Sequence, residues 1–167
     1  EAAVREAGAL AVMAGYNEVG GIPCHSDHRL LTEILRGDWG FRGFVLADSR
    51  GVEMLHDRHL IAATLKDAGR MAALAGVDCN FPNSKAFGSL LLESVREGTV
   101  PEAAIDVAVA RILKVKFLLG LFEARPVDPE RAARIVGSPE HRALARQRER
   151  RQRGPTVVGR GSNDDAR

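Results

Sequence analysis

The chain has 167 residues, 45% of them hydrophobic, enough for one domain with a real core and too few for a complete (β/α)8 barrel, which needs roughly 200 or more. A net charge of +2, with basic and acidic residues interspersed before position 140 and only 5% aromatics, argues against nucleic acid as a partner. No apolar run approaches the ~18–20 residues that span a bilayer, so no membrane partner is expected either.

The opening Glu1 to Ala7 has helical composition and stops at Gly8. Ala9 to Ala14 is a short apolar run bounded by glycines, as in a buried parallel strand. It leads into a loop rich in turn-forming residues, Gly15 to Pro23. Asp27 is placed to cap a helix whose apolar positions Leu30, Leu31, Ile34 and Leu35 follow helical spacing, ended by Gly37 and Gly40. Phe41 to Ala47 reads as a second strand and terminates at Asp48-Ser49. A loop runs through His56 to His59, and Ile61 to Ala75 is helical in character. Gly76 to Phe81 makes a third short strand closed by Pro82. Ala86 to Glu97 is an amphipathic helix, and Val100-Pro101-Glu102 starts another that runs to Gly120.

Helices alternating with short apolar strands predict an α/β fold with a parallel sheet. About three strands are present, so the chain reads as part of a barrel or of a doubly wound sheet; a complete flavodoxin-like fold would need about five. After Ala145 the character changes. Arg146 to Arg153 is a charge run without an apolar period, followed by a polar end. Residues 147–167 are therefore expected to be an Arg-rich tail, disordered or loosely helical at most.

In an α/β barrel, functional side chains sit where strands give way to the following loops. The three strand ends offer Tyr16, Asn17 and Glu18, then Asp48 and Ser49, then Asp78 and Asn80. Asp48 is the most suggestive, because it directly follows an unbroken apolar strand; the alternative is an N-cap for the next helix. Glu18 lies in a Gly-rich loop and should face solvent. Asp78 alternates with apolar neighbours and suits a structural ion pair or hydrogen bond. His25 with His28, and His56 with His59, are three apart, but without a third ligand at a recognisable spacing no metal site is expected. Cys24 and Cys79 fit neither a zinc motif nor a disulfide framework and read as buried or half-buried free thiols. No cofactor motif is present.

Several motifs together carry a family resemblance. Ala14 to Cys24 resembles the loop "SYNEVNGIPC" of glycoside hydrolase family 3. Leu30 to Val45 is similar to that family's "LLTxxLRGEWGFxGFV" segment, and Val45 to Asp48 stands where the family has "VVSD", whose Asp is the nucleophile. Ala75 to Asp78 and Lys116 to Phe122 complete the match, which covers residues 1–146.

The resemblance implies the C-terminal half of the family's N-terminal barrel domain, about the last three βα units of a (β/α)8 fold. It implies hydrolysis of β-linked glycosides or oligosaccharides with retention of configuration, of the β-glucosidase or β-xylosidase type, and no cofactor. A retaining enzyme needs two carboxyls about 5–5.5 Å apart, one a nucleophile and one a proton donor. Asp48 stands at the nucleophile's position. Tyr16 matches a family tyrosine near it, and Ser49 replaces the aromatic that often follows it, so both are assigned to substrate binding. The family's Lys-His substrate motif and its acid/base Glu fall outside these residues, so the chain by itself is expected to be inactive. The alternative is a non-catalytic sugar-binding or assembly module, which would pair with a separately encoded N-terminal barrel half. The abrupt change near Arg146 is what a shift of reading frame would produce, a natural divergent tail being the alternative.

Overall fold

The computed structural model describes residues 1–81, 84–123 and 128–153, the side chain of Arg153 excepted. The chain divides into two units, Glu1–Glu123 and Ala124–Arg167, and the 1–146 span drawn from the resemblance crosses that division.

In the first unit, a short helix α1 (Ala2–Arg5) leads to strand β1 (Ala11–Ala14). A hairpin follows, β2 (Glu18–Val19) and β3 (Ile22–Pro23), with Gly20 and Gly21 both at positive φ, +61° and +82°, as a two-residue hairpin turn requires. A 3-10 turn, Cys24–Ser26, enters a helix of wide π-type turns, Arg29–Asp38. As expected, Asp27 caps it, its Oδ1 accepting the Leu30 N–H at 3.0 Å. Strand β4 (Phe44–Ala47) then pairs with β1 in parallel, Ala14 opposite Ala47.

Helix α2 (Met54–Asp57) is a single turn, and α3 (Leu65–Ala75) starts four residues later than periodicity alone suggests. The delay has two causes: Leu60 is held in the left-handed region at φ +56°, and Thr64 caps α3 by accepting the Asp67 N–H at 3.1 Å. Gly76, at φ +113°, ends α3, a conformation that favours glycine. Helices α4 (Ser89–Arg96) and α5 (Glu102–Leu118) complete the unit.

The expected third strand shrinks to a single parallel bridge, Cys79 to Leu46. The reason lies in Asp78. Its Oδ2 accepts the Val45 N–H at 2.7 Å, taking a donor that a backbone carbonyl would take in a longer ladder. The same carboxylate binds Arg36 at 2.5 Å and Arg111 at 2.8 Å and is only 1% exposed. Asp78 is thus the structural ion pair that its position suggested, joining the π-type helix, β4 and α5. Removing one partner of such a buried cluster leaves charge uncompensated, at a cost of about 3–5 kcal/mol.

One face of the sheet carries Val12, Ala14, Val45 and Ala47, and it packs on Leu31 and Leu35 and on Ala68, Ala72 and Ala75 of α3. Small residues let α3 lie close; a Cβ on Gly69 would overlap the Ala86 carbonyl. The opposite face carries Ala11, Met13, Phe44 and Leu46. It is equally apolar but incompletely covered, with Met13 53% exposed. The fold is therefore α/β, with few strands and no closed barrel among the described residues.

In the second unit, α6 (Pro129–Ile135) is capped by Asp128, and α7 runs from Pro139 to Arg153. Residues 147–153, expected to be disordered or loosely helical at most, lie in this helix. Arg, Gln and Glu are good helix formers, and Glu140 favours the first turn, so propensity builds a helix that has no apolar stripe to bury. The rest of the expected tail, 154–167, lies outside the described residues.

Candidate active site

The parallel register of β1 and β4 decides which loop residues meet. Ala14 lies opposite Ala47, so the same 33-residue offset sets Tyr16 against Ser49. The contact forms: the Tyr16 hydroxyl donates to the Ser49 carbonyl at 2.6 Å. A second contact ties the same two loops together, His59 Nδ1 lying 2.9 Å from Glu18 Oε1. The hairpin loop after β1 and the loop after β4 are thereby clasped at two points.

Asp48 is half-buried immediately beyond the end of β4. Its Oδ1 accepts the Ser49 N–H at 2.6 Å and its carbonyl accepts the Gly51 N–H at 2.9 Å. Among the described residues it caps no helix; Glu53 holds the N-cap position of α2, and its carboxylate accepts from the Ser84 hydroxyl rather than from the helix. The Asp48-Ser49-Arg50-Gly51 turn puts Arg50 at φ +59°, where a non-glycine residue is strained. That strain is held from both sides. The Arg50 guanidinium reaches Asp57 at 2.9 Å, and Val52 and Leu55 behind it are fully buried.

Beneath the turn lies His25, 1% exposed, with its ring near that of Tyr16 at a centroid separation of 6.4 Å. Gly51 packs directly on the imidazole, and a Cβ there would overlap it. Burial pushes the His25 pKa below its ordinary value, with His59 adding to the lowering, while Asp48, the Gly15 backbone and Glu53 pull the other way. The Tyr16 hydroxyl is shifted up, by lost solvation first and then by the Asp48 carboxylate beside it.

A cleft of about 420 Å³ opens here, lined by Tyr16, Ser49, Arg50, Met54, Asp57 and Arg58. Tyr16 and Ser49 line this cleft, and Asp48 lies beside both of them, bonded to the Ser49 N–H and next to the Tyr16 hydroxyl. Asp78, from the third strand end, points instead into its arginine cluster. Glu18 is half-exposed, as expected, but paired with His59. His28 is exposed while His25 is buried, and among the described residues no three His, Cys, Asp or Glu side chains gather to hold a metal ion. The thiols of Cys24 and Cys79 are free, one buried and one half-buried.

Sequence reasoning missed two parts of this arrangement. The strained Arg50 has no periodic signature, although an i+2 turn position just before Gly51 is a place to look for positive φ. His25 was weighed only as a metal ligand; its place beside Pro23-Cys24, on a loop returning toward the sheet, was the available sign of burial.

Parallel strands with a half-buried carboxylate and a tyrosine side by side just beyond their C-terminal ends fit a class, α/β proteins of the kind that gather side chains for function there. Comparison with known proteins names the family. Residues 1–115 match the glycosyl hydrolase family 3 N terminal domain. A β-xylosidase of Formosa agariphila is 36% identical over 151 residues, 87% of this chain and 21% of that protein. A lysosomal β-glucosidase of Dictyostelium discoideum is 38% identical over 145 residues, 86% of this chain and 18% of the relative. Among solved structures, a β-glucosidase from Erythrobacter marinus superposes with a TM-score of 0.82 at 40% identity, over 87% of this chain and 19% of that one. The chain belongs to glycosyl hydrolase family 3. It spans about a fifth of the length of the relatives it matches.

Proposed function

We propose that residues 1–123 are an arc of a (β/α)8 barrel in a retaining β-glycosidase of the β-glucosidase or β-xylosidase type, with Asp48 as the nucleophile. The observation that carries this reading is the meeting of Asp48, Tyr16 and Ser49 just beyond the ends of two parallel strands, next to a cleft that Tyr16 and Ser49 line. The order of the strands supports it. β1, β4 and the Cys79 bridge neighbour one another in chain order, as barrel strands do, and the 33-residue offset recurs between Val45 and Asp78. The apolar, half-covered face of the sheet is what a barrel interior would be before the remaining strands close over it. The names of the relatives, β-xylosidases and β-glucosidases, support the substrate class.

In this mechanism an Asp48 carboxylate oxygen attacks the anomeric carbon and the glycosidic C–O bond breaks. The departing oxygen takes a proton from a general acid, and water then cleaves the glycosyl ester to regenerate Asp48. The Ser49 N–H on Asp48 Oδ1 fixes the carboxylate's rotation. Tyr16, anchored on Ser49, stands by the carboxylate as positive charge develops on the sugar. With Ser49 in place of an aromatic, the cleft is walled by the Arg50–Asp57 pair, which suits hydroxyl-rich substrate. Asp57, Glu18 and Glu53, the other carboxylates nearby, are already engaged with Arg50, His59 and Ser84, and Glu53 is buried. The acid must therefore come from another part of the enzyme, and the 167-residue chain alone is expected to be inactive on aryl β-glucosides and β-xylosides.

The test replaces the matching segment of a complete family 3 β-glucosidase with residues 1–123 of this chain. Asp48→Asn should then lower kcat by about 10³-fold or more, and Glu18→Gln by less than about tenfold. Full activity in Asp48→Asn would refute the assignment.

A further inference from the structure

Helix α5 is apolar on nearly every side, yet only Val115 is buried; Val107, Leu113 and Phe117 are exposed, Phe117 by 62%. A helix with that composition belongs against something. Its exposed surface has a seam: Ala103, Asp106, Ala110, Leu113 and Phe117 follow one another at alternating spacings of three and four, the period of a helix–helix contact. Charge along the helix is polarised, Glu102 and Asp106 at the beginning and Lys114 and Lys116 at the end, and among the described residues none of these four has an ion-pair partner.

We propose that this seam is an interface between two copies of the chain, with the α5 helices antiparallel across a two-fold axis at Ala110. That geometry sets Asp106 against Lys114 of the second copy, Val107 against its Leu113, and the small Ala103 against its bulky Phe117. Each pair occurs twice by symmetry, and the alanine at the axis lets the backbones approach. A parallel pairing would instead juxtapose Asp106 with Asp106, which selects the antiparallel arrangement.

The experiment is sedimentation equilibrium of the full 167-residue chain across roughly micromolar concentrations at low salt. The expected result is a monomer–dimer equilibrium that Asp106→Lys or Lys114→Asp alone weakens at least about tenfold, and that the double reversal restores. In parallel, Ala110→Cys should be joined into a covalent dimer by a short bismaleimide, whereas Glu93→Cys on α4 should not. A monomer at every concentration would overturn the proposal, the seam then belonging to the additional polypeptide of a longer protein. A dimer indifferent to both reversals and uncrosslinked at Ala110 would equally overturn it and place the contact elsewhere, the bare face of the sheet being the next to test.

Discussion

The Tyr16 hydroxyl donates to a backbone carbonyl of the loop that carries Asp48 and lies against the Asp48 carboxylate itself, so its removal should be felt in both stability and chemistry. Tyr16→Phe is expected to cost about 1 kcal/mol in urea unfolding, and in the complete enzyme to lower kcat more than it raises KM. An unchanged kcat would remove Tyr16 from the site. His25 gives a pH test with a definite sign. Its pKa is lowered in the folded state, so the unfolded chain binds the proton more readily. The contribution is constant above the ordinary histidine value near 6.5 and is lost as pH falls through that value, with a slope of at most about 1.4 kcal/mol per pH unit. His25→Asn should flatten the dependence between pH 7.5 and 5 relative to the parent; an unaltered slope would show that other groups carry it. Asp78 was expected to matter little for chemistry, and the arginine cluster adds that it matters for folding. Asp78→Asn should cost about 3–5 kcal/mol, because Arg36, 10% exposed, keeps its charge without its counter-ion. A loss under about 1 kcal/mol would mean that water reaches the cluster.

The elements show why some of this was readable and some was not. Strands β1 and β4 were legible because short apolar runs, the first between Gly8 and Gly15 and the second between Gly43 and Asp48, leave few alternatives, and Tyr16 and Asp48 stand just beyond them. The hairpin Glu18–Pro23 looks like loop in sequence, since strands of two residues have no period, although the Gly20-Gly21 pair between Val19 and Ile22 is a turn signal. The late start of α3 was written in Thr64-Leu65-Lys66-Asp67, a cap pattern that periodicity does not see. The third strand could not be judged from sequence, because only the fold reveals that the Asp78 side chain takes the Val45 amide. The bare sheet face gives the element-scale prediction. In this chain alone Met13→Asp should cost less than about 0.5 kcal/mol, the side chain being half in water. In the complete chimaera, where the face becomes a packed interior, the same change should cost several kcal/mol, on the order of a buried unpaired charge. Equal costs in both settings, read from urea midpoints, would contradict the barrel arc.

For the whole molecule, the chain is about one-fifth as long as its relatives, and in the proposed mechanism it supplies one of the two carboxyl groups that retention requires. The family was legible because its motifs are clustered around the strand ends and the loops they feed. The second unit was less so: helix α7 follows from propensity alone, without the apolar stripe by which helices are usually recognised in sequence. The most direct measurement is covalent labelling of the complete chimaera by a 2-deoxy-2-fluoro glucoside with a good leaving group, followed by peptide mass spectrometry. The fluorine slows breakdown of the glycosyl ester, so the nucleophile keeps the sugar. The account predicts the label on Asp48, with none in Asp48→Asn; a label on Glu18, Asp57 or Asp78 would contradict it.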